Sequence, residues 1–180
     1  MIYTTLCEIR KHGPRVDGWE KLILGLGMTH EDTPVSFMRI LEINGIRDAI
    51  WALRAVEGMD GPIRELACRF PESVLPNYEE KYPGDMRPRS AIEVARRYAQ
   101  GKATDKELQS ASSAARSTAS SAESSAARSA AWSAAWSAAW HAALAAASAA
   151  AYASARSPAW VDIEKIFVNW LSEFSNEVVK

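Results

Sequence analysis

The sequence predicts an all-α protein: a compact helical domain with a long Ala/Ser-rich helix or helical hairpin and a C-terminal amphipathic helix. Three observations carry this expectation. No alternation of apolar and polar residues runs long enough to mark a strand. Residues 102–157 contain neither glycine nor proline, so nothing interrupts a helix for 56 residues. Near the C-terminus, Val161, Ile163, Ile166, Phe167, Trp170, Leu171 and Phe174 fall at helical spacing and need a surface to pack on.

The elements follow in order. Asp17 is placed to cap a helix over residues 18–24 that stops near Gly25 and Gly27. Thr33-Pro34 reads as a capping residue followed by proline in the first turn, opening a helix through Phe37, Met38, Ile40 and Leu41 to Asn44-Gly45. Ile46, Ile50, Leu53 and Val56 continue at helical spacing to a stop at Gly58. Gly61-Pro62 opens the next helix, which Pro71 and Pro76 should kink or divide. Asp85 or Met86 precedes a helix from Arg87-Pro88 to Gly101. Thr104 with Glu107 three residues later has the capping-box spacing and fixes the start of the Ala/Ser helix.

This gives a layout in three parts, expected to form one structural domain: residues 1–101, an N-terminal helical half; 102–157, an Ala/Ser/Trp-rich helical hairpin; and 158–180, a docking helix. All nine glycines and seven of the eight prolines lie in the first part. From 101 to 160, 25 residues are Ala and 14 are Ser. One straight helix of about 50 residues would be roughly 75–80 Å long, at about 1.5 Å per residue, so a hairpin is preferred. Its turn is placed in the polar stretch 117–125. Trp132, Trp136, Trp140 and Tyr152 fall on a four-residue repeat, which drifts around a helix because four residues overshoot one turn. These aromatics read either as core anchors or as a ladder that docks a partner.

Composition excludes several function classes. The 180 residues carry 21 basic and 22 acidic side chains, a net charge of −1, spread evenly along the chain. No basic excess supports nucleic acid as a partner. Two cysteines, Cys7 and Cys68, are too few for a disulfide scaffold and suit a cytoplasmic location. No signal peptide is read at the N-terminus. Residues 129–155 are uncharged and long enough to span a bilayer, but their many Ala and Ser and His141 oppose insertion, so no membrane is expected. His12, His30 and His141 have no metal-ligand spacing, and no nucleophile, zinc or phosphate-loop motif is present. The expectation is a protein with no catalytic residue, no metal and no cofactor.

The densest polar segment runs from Tyr78 to Arg89 between two helices. Asp85 can cap the helix that follows, and Arg87 and Arg89 can reach back to Glu79 or Glu80 as ion pairs. That describes a rigid corner. The same residues, Tyr78, Glu79, Tyr82, Asp85, Arg87 and Arg89, also form a candidate recognition site, with planar guanidinium forks for a carboxylate or phosphate beside two tyrosine rings.

Here the sequence resembles a known family. Val74-Leu75-Pro76, Tyr78-Glu79-Glu80-Lys81-Tyr82-Pro83, Asp85, Arg87-Pro88-Arg89, Ala91-Ile92-Glu93 and Ala95-Arg96, with Leu66-Ala67-Cys68 before them, resemble immunity proteins of the Imm5 type from bacterial polymorphic toxin systems. The resemblance covers roughly residues 64–155, with its central motif in 64–97. Residues 17–58 resemble a leader on uncharacterised phage and mobile-element proteins that carry the same motif and that the short immunity proteins lack. The resemblance implies an all-α, non-enzymatic, cytoplasmic protein. The leading expectation is a bacterial or phage binder that neutralises a toxin or defence component by occupying its surface, as immunity or counter-defence. Two alternatives stand beside it: a phage counter-defence protein that takes a small nucleotide-like ligand at the corner, and a structural protein that self-assembles as a homo-oligomer through its Ala/Ser face.

Overall fold

The structure is a computed structural model that describes residues 1–27, 30–122, 128, 130, 131, 134 and 160–174. Trp132, Trp136, Trp140 and Tyr152 therefore lie outside the described residues, as do residues 123–125 of the expected hairpin turn. The protein is all-α. Among the described residues, strand structure is confined to one two-stranded ribbon. The chain divides into two units, Met1–Met59 with Phe167–Lys180, and Asp60–Ile166.

The first unit begins with β1 (Tyr3–Thr4), which pairs antiparallel with β2 (Val35–Ser36), Tyr3 opposite Ser36 and Thr4 opposite Val35. Thr5 caps α1 (Leu6–Lys11) by accepting the Glu8 N–H. α2 (Val16–Leu26) ends at Gly27, whose left-handed φ of 71° suits glycine. α3 (Phe37–Asn44) and α4 (Ile46–Ala52) follow, and a 3-10 turn (Leu53–Ala55) closes the segment. Phe37, Ile40, Ala49, Ile50 and Leu53 form the centre of the buried apolar set.

Three local expectations are corrected in this unit. The cap of α2 is Arg15 rather than Asp17, because Val16 is already helical; Asp17 sits in the first turn, where a carboxylate still faces the positive end of the helix. Thr33-Pro34 does not open α3. Pairing of Val35–Ser36 with β1 buries Val35 and Thr4 and delays the helix, and the Ser36 hydroxyl then caps it by accepting the Arg39 N–H at 3.2 Å. Gly25 lies inside α2 and does not stop it. A Cβ on Gly25 would fall 2.6 Å from Ile43 Cγ2, and one on Gly18 would fall 2.8 Å from Asp48 Oδ2. These glycines are seven residues apart, close to two turns, so one face of α2 is cleared for close approach of its neighbours.

In the second unit, α5 (Asp60–Val74) and α8 (Asp105–Ser121) both pack on α7 (Arg87–Ala99). Pro71 stays within α5 and is buried. Its ring gives up one backbone hydrogen bond but adds to the core, and the Leu75 N–H still reaches the Pro71 carbonyl at 2.9 Å. The division falls at Pro76, which opens the short α6 (Pro76–Glu79). The capping box at Thr104 and Glu107 is complete in both directions. α8 ends at Ser121, and Ala122 is extended, with its carbonyl accepting from Arg128 Nε at 3.2 Å and from Arg128 Nη2 at 2.7 Å.

The core of this unit uses small residues, as the composition anticipates. Ala91, Ile92, Ala95, Leu108, Ala115 and Ala134 cluster around Cys68 and Leu75. Val74 and Tyr78 pack with Ala119, Ala122, Ala130 and Ala131. Alanines admit close helix approach but bury little area, so Leu, Ile and Tyr supply most of the apolar stabilisation. The boundary between the two units falls within α9 (Trp160–Glu173). Past it, the Phe167 and Trp170 rings stack at 5.9 Å, Trp170 meets Phe174 edge-on at 5.1 Å, and the Met1 amino group donates to the Phe174 carbonyl.

Candidate functional site

The polar segment between α6 and α7 folds back on itself, and its geometry follows from three carboxylate-centred contacts. α6 ends at Glu79, a turn passes through Tyr82 and Gly84, and α7 begins at Arg87. The cap position of α7 is Met86; Asp85, one residue before it, accepts the first helical N–H, that of Arg87, on Oδ1 at 3.1 Å. The same carboxylate receives the Arg87 guanidinium through Nε at 2.8 Å and Nη2 at 2.6 Å. It also receives the Tyr78 hydroxyl at 2.6 Å. Arg87, first among these donors, holds the Asp85 carboxyl well below the usual carboxylate range.

Tyr78 links this carboxylate to the core. It is 2% exposed and packs with Ala119 of α8. Burial, reinforced by the Asp85 contact, raises the phenol above its ordinary value. Its ring lies 4.9 Å from that of Tyr82. On the other side of the corner, Arg89 grips Glu79 with both arms, Nε at 2.6 Å and Nη2 at 2.7 Å. This is the bidentate fork expected of arginine and carboxylate. Arg87 does not reach back to Glu79 or Glu80 as its spacing allowed. Asp85 is two residues away and already at the helix start, so the shorter loop closes first; the second Arg87 arm reaches Ser117 Oγ at 3.2 Å.

The structure thus brings Tyr78, Asp85 and Arg87 into one linked group and Arg89 with Glu79 into another. Beside the first lies an open concavity of about 480 Å³, lined by Gly84, Asp85, Met86, Arg87, Ser90, Ala111 and Ala114. Met86, 52% exposed, and the exposed Arg87 and Ser90 are on its surface. Sequence spacing did not single out Met86, Ser90 or the α8 residues as part of this site, because their proximity depends on how α7 packs on α8.

A third ionic group braces the scaffold behind the corner. Arg96 on α7 binds Glu65 through Nε at 2.9 Å and Nη2 at 3.1 Å, and Glu72 through Nη1 at 2.7 Å and Nη2 at 2.9 Å. Both glutamates belong to α5, one face and two turns apart. Arg64, also on α5, is 4% exposed and lies 4.8 Å from the Tyr98 ring centre. Among the described residues no group of three or more His, Cys, Asp and Glu side chains is placed to hold a metal ion. No helix among them is long and apolar enough to cross a membrane.

A family model described as Imm-5 like putative immunity protein matches residues 63–159. No curated protein and no solved structure matches the chain.

Proposed function

The chain belongs to the Imm-5 like immunity family, and from that premise we propose that it neutralises a toxin partner by binding it, without catalysis. One observation carries the reading: the matched residues 63–159 coincide with the second structural unit, Asp60–Ile166, which holds the corner. A binder benefits from a surface that is set before the partner arrives, since ordering side chains on contact costs affinity. The corner has that property. Asp85 holds Arg87 and Glu79 holds Arg89 in fixed geometry, and Arg87 ties the corner to Ser117 of α8.

The contact face we assign is the concavity beside Arg87, with Met86 and Ser90 on its surface; Tyr82 and Arg89 remain candidates elsewhere on the corner. Trp132, Trp136, Trp140 and Tyr152 remain further candidates for the same partner. An anionic nucleotide-like ligand is disfavoured by the same geometry. It would have to displace Asp85 from Arg87 or Glu79 from Arg89, and Tyr78 is too buried to offer an open ring. The expected setting is the cytoplasm, where a toxin would have to be intercepted.

The test is recovery of the tagged chain from a lysate of its own host, native mass spectrometry, and co-expression of the chain with any recovered protein. The expected result is an added mass of kilodaltons belonging to a protein whose expression alone stops growth and whose effect the chain relieves. Ser90→Arg and Met86→Asp, both at exposed positions, should abolish the complex and the relief while leaving helical content unchanged. A bare chain, an added mass of a few hundred daltons, or relief that survives both substitutions overturns the reading.

A further inference from the structure

α2 lies in the first unit, outside the family-matched residues, and docks there by its small residues. Its 11 residues include Val16, Trp19, Leu22, Ile23, Leu24 and Leu26, and of these large apolar side chains only Leu22 is buried. The face turned to the unit is built from Gly18, Leu22 and Gly25, with the two glycines closed against Asp48 and Ile43. Trp19 sits at the edge of that face, half-buried, where it lines a cavity of about 260 Å³ with Ile40 and Trp51. At about 100° per residue, Val16, Ile23 and Leu24 fall on the opposite face, around Glu20. Val16 is 71% exposed and Leu24 77%. A surface helix ordinarily turns its apolar stripe to the core and its polar side to water. In α2 the small residues face in and large apolar ones face out.

Two features say what covers this outward face. The first is charge. Glu20 and Lys21 are exposed neighbours of opposite sign, and neither has an ion pair or side-chain hydrogen bond among the described residues. Other ionic side chains of the unit are paired within the chain: Arg10 with Glu31, Lys11 with Glu8, Arg15 with Asp17, Arg39 with Glu42 and Arg47 with Asp48. The face therefore asks a partner for one cation and one anion side by side, which is what α2 itself carries. The second is symmetry. Val16 and Leu24 lie four residues to either side of Glu20, about 6 Å along the axis, so the stripe turned end for end presents the same pattern. In an antiparallel pair centred on Glu20, Val16 of each copy meets Leu24 of the other. The two Glu20 carboxylates approach at the centre, and each is met by the other copy's Lys21.

We propose that the outward face of α2 is the interface of a two-fold dimer, covered by α2 of a second copy of this chain running antiparallel. Such an interface uses the same patch on both copies and closes at two. It rests on few side chains, so the dimer is a weak one that forms as concentration rises. This goes beyond the neutraliser reading and does not depend on it, since the corner belongs to the second unit.

The test is sedimentation equilibrium of the full chain from about 1 µM to about 1 mM in about 50 mM salt, reading the mean mass at each concentration. The expected result is a rise from one chain toward two, with no larger species. Leu24→Glu, at an exposed position, should keep the helical content in circular dichroism and weaken association at least about tenfold. Glu20→Lys and Lys21→Glu should each weaken it at least about threefold. The double reversal, Glu20→Lys with Lys21→Glu, should restore it, because the pairing regains its complement with the signs exchanged. The mass of one chain at every concentration overturns the proposal. So do species that keep growing past two, a dimer that survives Leu24→Glu, and a double reversal no tighter than the single ones. If Leu24→Glu loses helix, the charge reversals decide, since Glu20 and Lys21 are both exposed.

Discussion

Removing the Asp85 carboxylate should destabilise the second unit in an amount that can be assembled from its contacts. Asp85→Ala loses three things. A helix-capping acceptor at the start of α7 contributes about 1 kcal/mol. The charge-assisted bond from the Tyr78 hydroxyl contributes about 1–2 kcal/mol, because Asp85 is the acceptor this hydroxyl donates to. The Arg87 ion pair adds at most about 0.5 kcal/mol, since the Arg87 side chain is 51% exposed and screened by solvent. The sum is about 3 kcal/mol, or a fall in Tm of roughly 6–12 °C for a chain of this size. Tyr78→Phe removes only the second contribution and should cost about 1.5 kcal/mol, so the double variant should be less destabilised than the two singles added, by about 1 kcal/mol. The Asp85 carboxyl ionises more readily in the folded chain than in the unfolded one. Its contribution is therefore fully present above the ordinary aspartate range near pH 4 and is lost as the pH falls below it. Thermal melts by circular dichroism at pH 7 and pH 3 measure all of this. If Asp85→Ala shifts Tm by less than about 2 °C at pH 7, or if the two substitutions add without coupling, the corner is not the tied structure described above.

Other perturbations follow from the same geometry. Gly25→Ala should cost about 1–3 kcal/mol in urea denaturation, because the new methyl would meet Ile43 Cγ2 at 2.6 Å; Gly25→Ala with Ile43→Ala, which removes all three clashing carbons, should cost less than the two singles added. The Cys68 thiol is pushed up to about 12 by burial, so iodoacetamide at pH 8 should leave it unmodified in the folded chain and alkylate it after urea; alkylation without denaturant would refute its burial. Arg96→Met should cost about 2 kcal/mol, between the values for exposed and buried ion pairs, because Glu72 loses both guanidinium bonds to Arg96 and Glu65 is left with Arg69 at 3.7 Å; a neutral result would mean that Arg96 does not brace α5 against α7.

The elements most readable in the sequence were those whose signals are local. Thr104 and Glu107 form a capping box that needs no tertiary contact, and the structure has it bond for bond. Spacing and charge allow Arg89 to reach back to Glu79 or Glu80, and it meets Glu79 as a fork. What was illegible depended on packing. Val35–Ser36 became a strand because Tyr3–Thr4 lies opposite it 32 residues earlier, which no window around Thr33-Pro34 contains. Gly25 looked like a helix stop, since glycine signals both a chain end and a close approach, and only the position of Ile43 separates the two meanings. The concavity beside Arg87 needs Ala111 and Ala114 from α8, and the cavity at Trp19 and Trp51 needs α2 to lie against α4.

The corner limits what a partner can gain from charge. There the protein's own carboxylates neutralise Arg87 and Arg89, so a partner must gain from fit against Met86, Ser90 and the alanines of α8. Screening at about 0.5 M salt should therefore leave a complex through the corner nearly unchanged, because both guanidinium groups are already paired within the chain; a steep loss of affinity with salt would mean that the partner pairs with charges outside the corner.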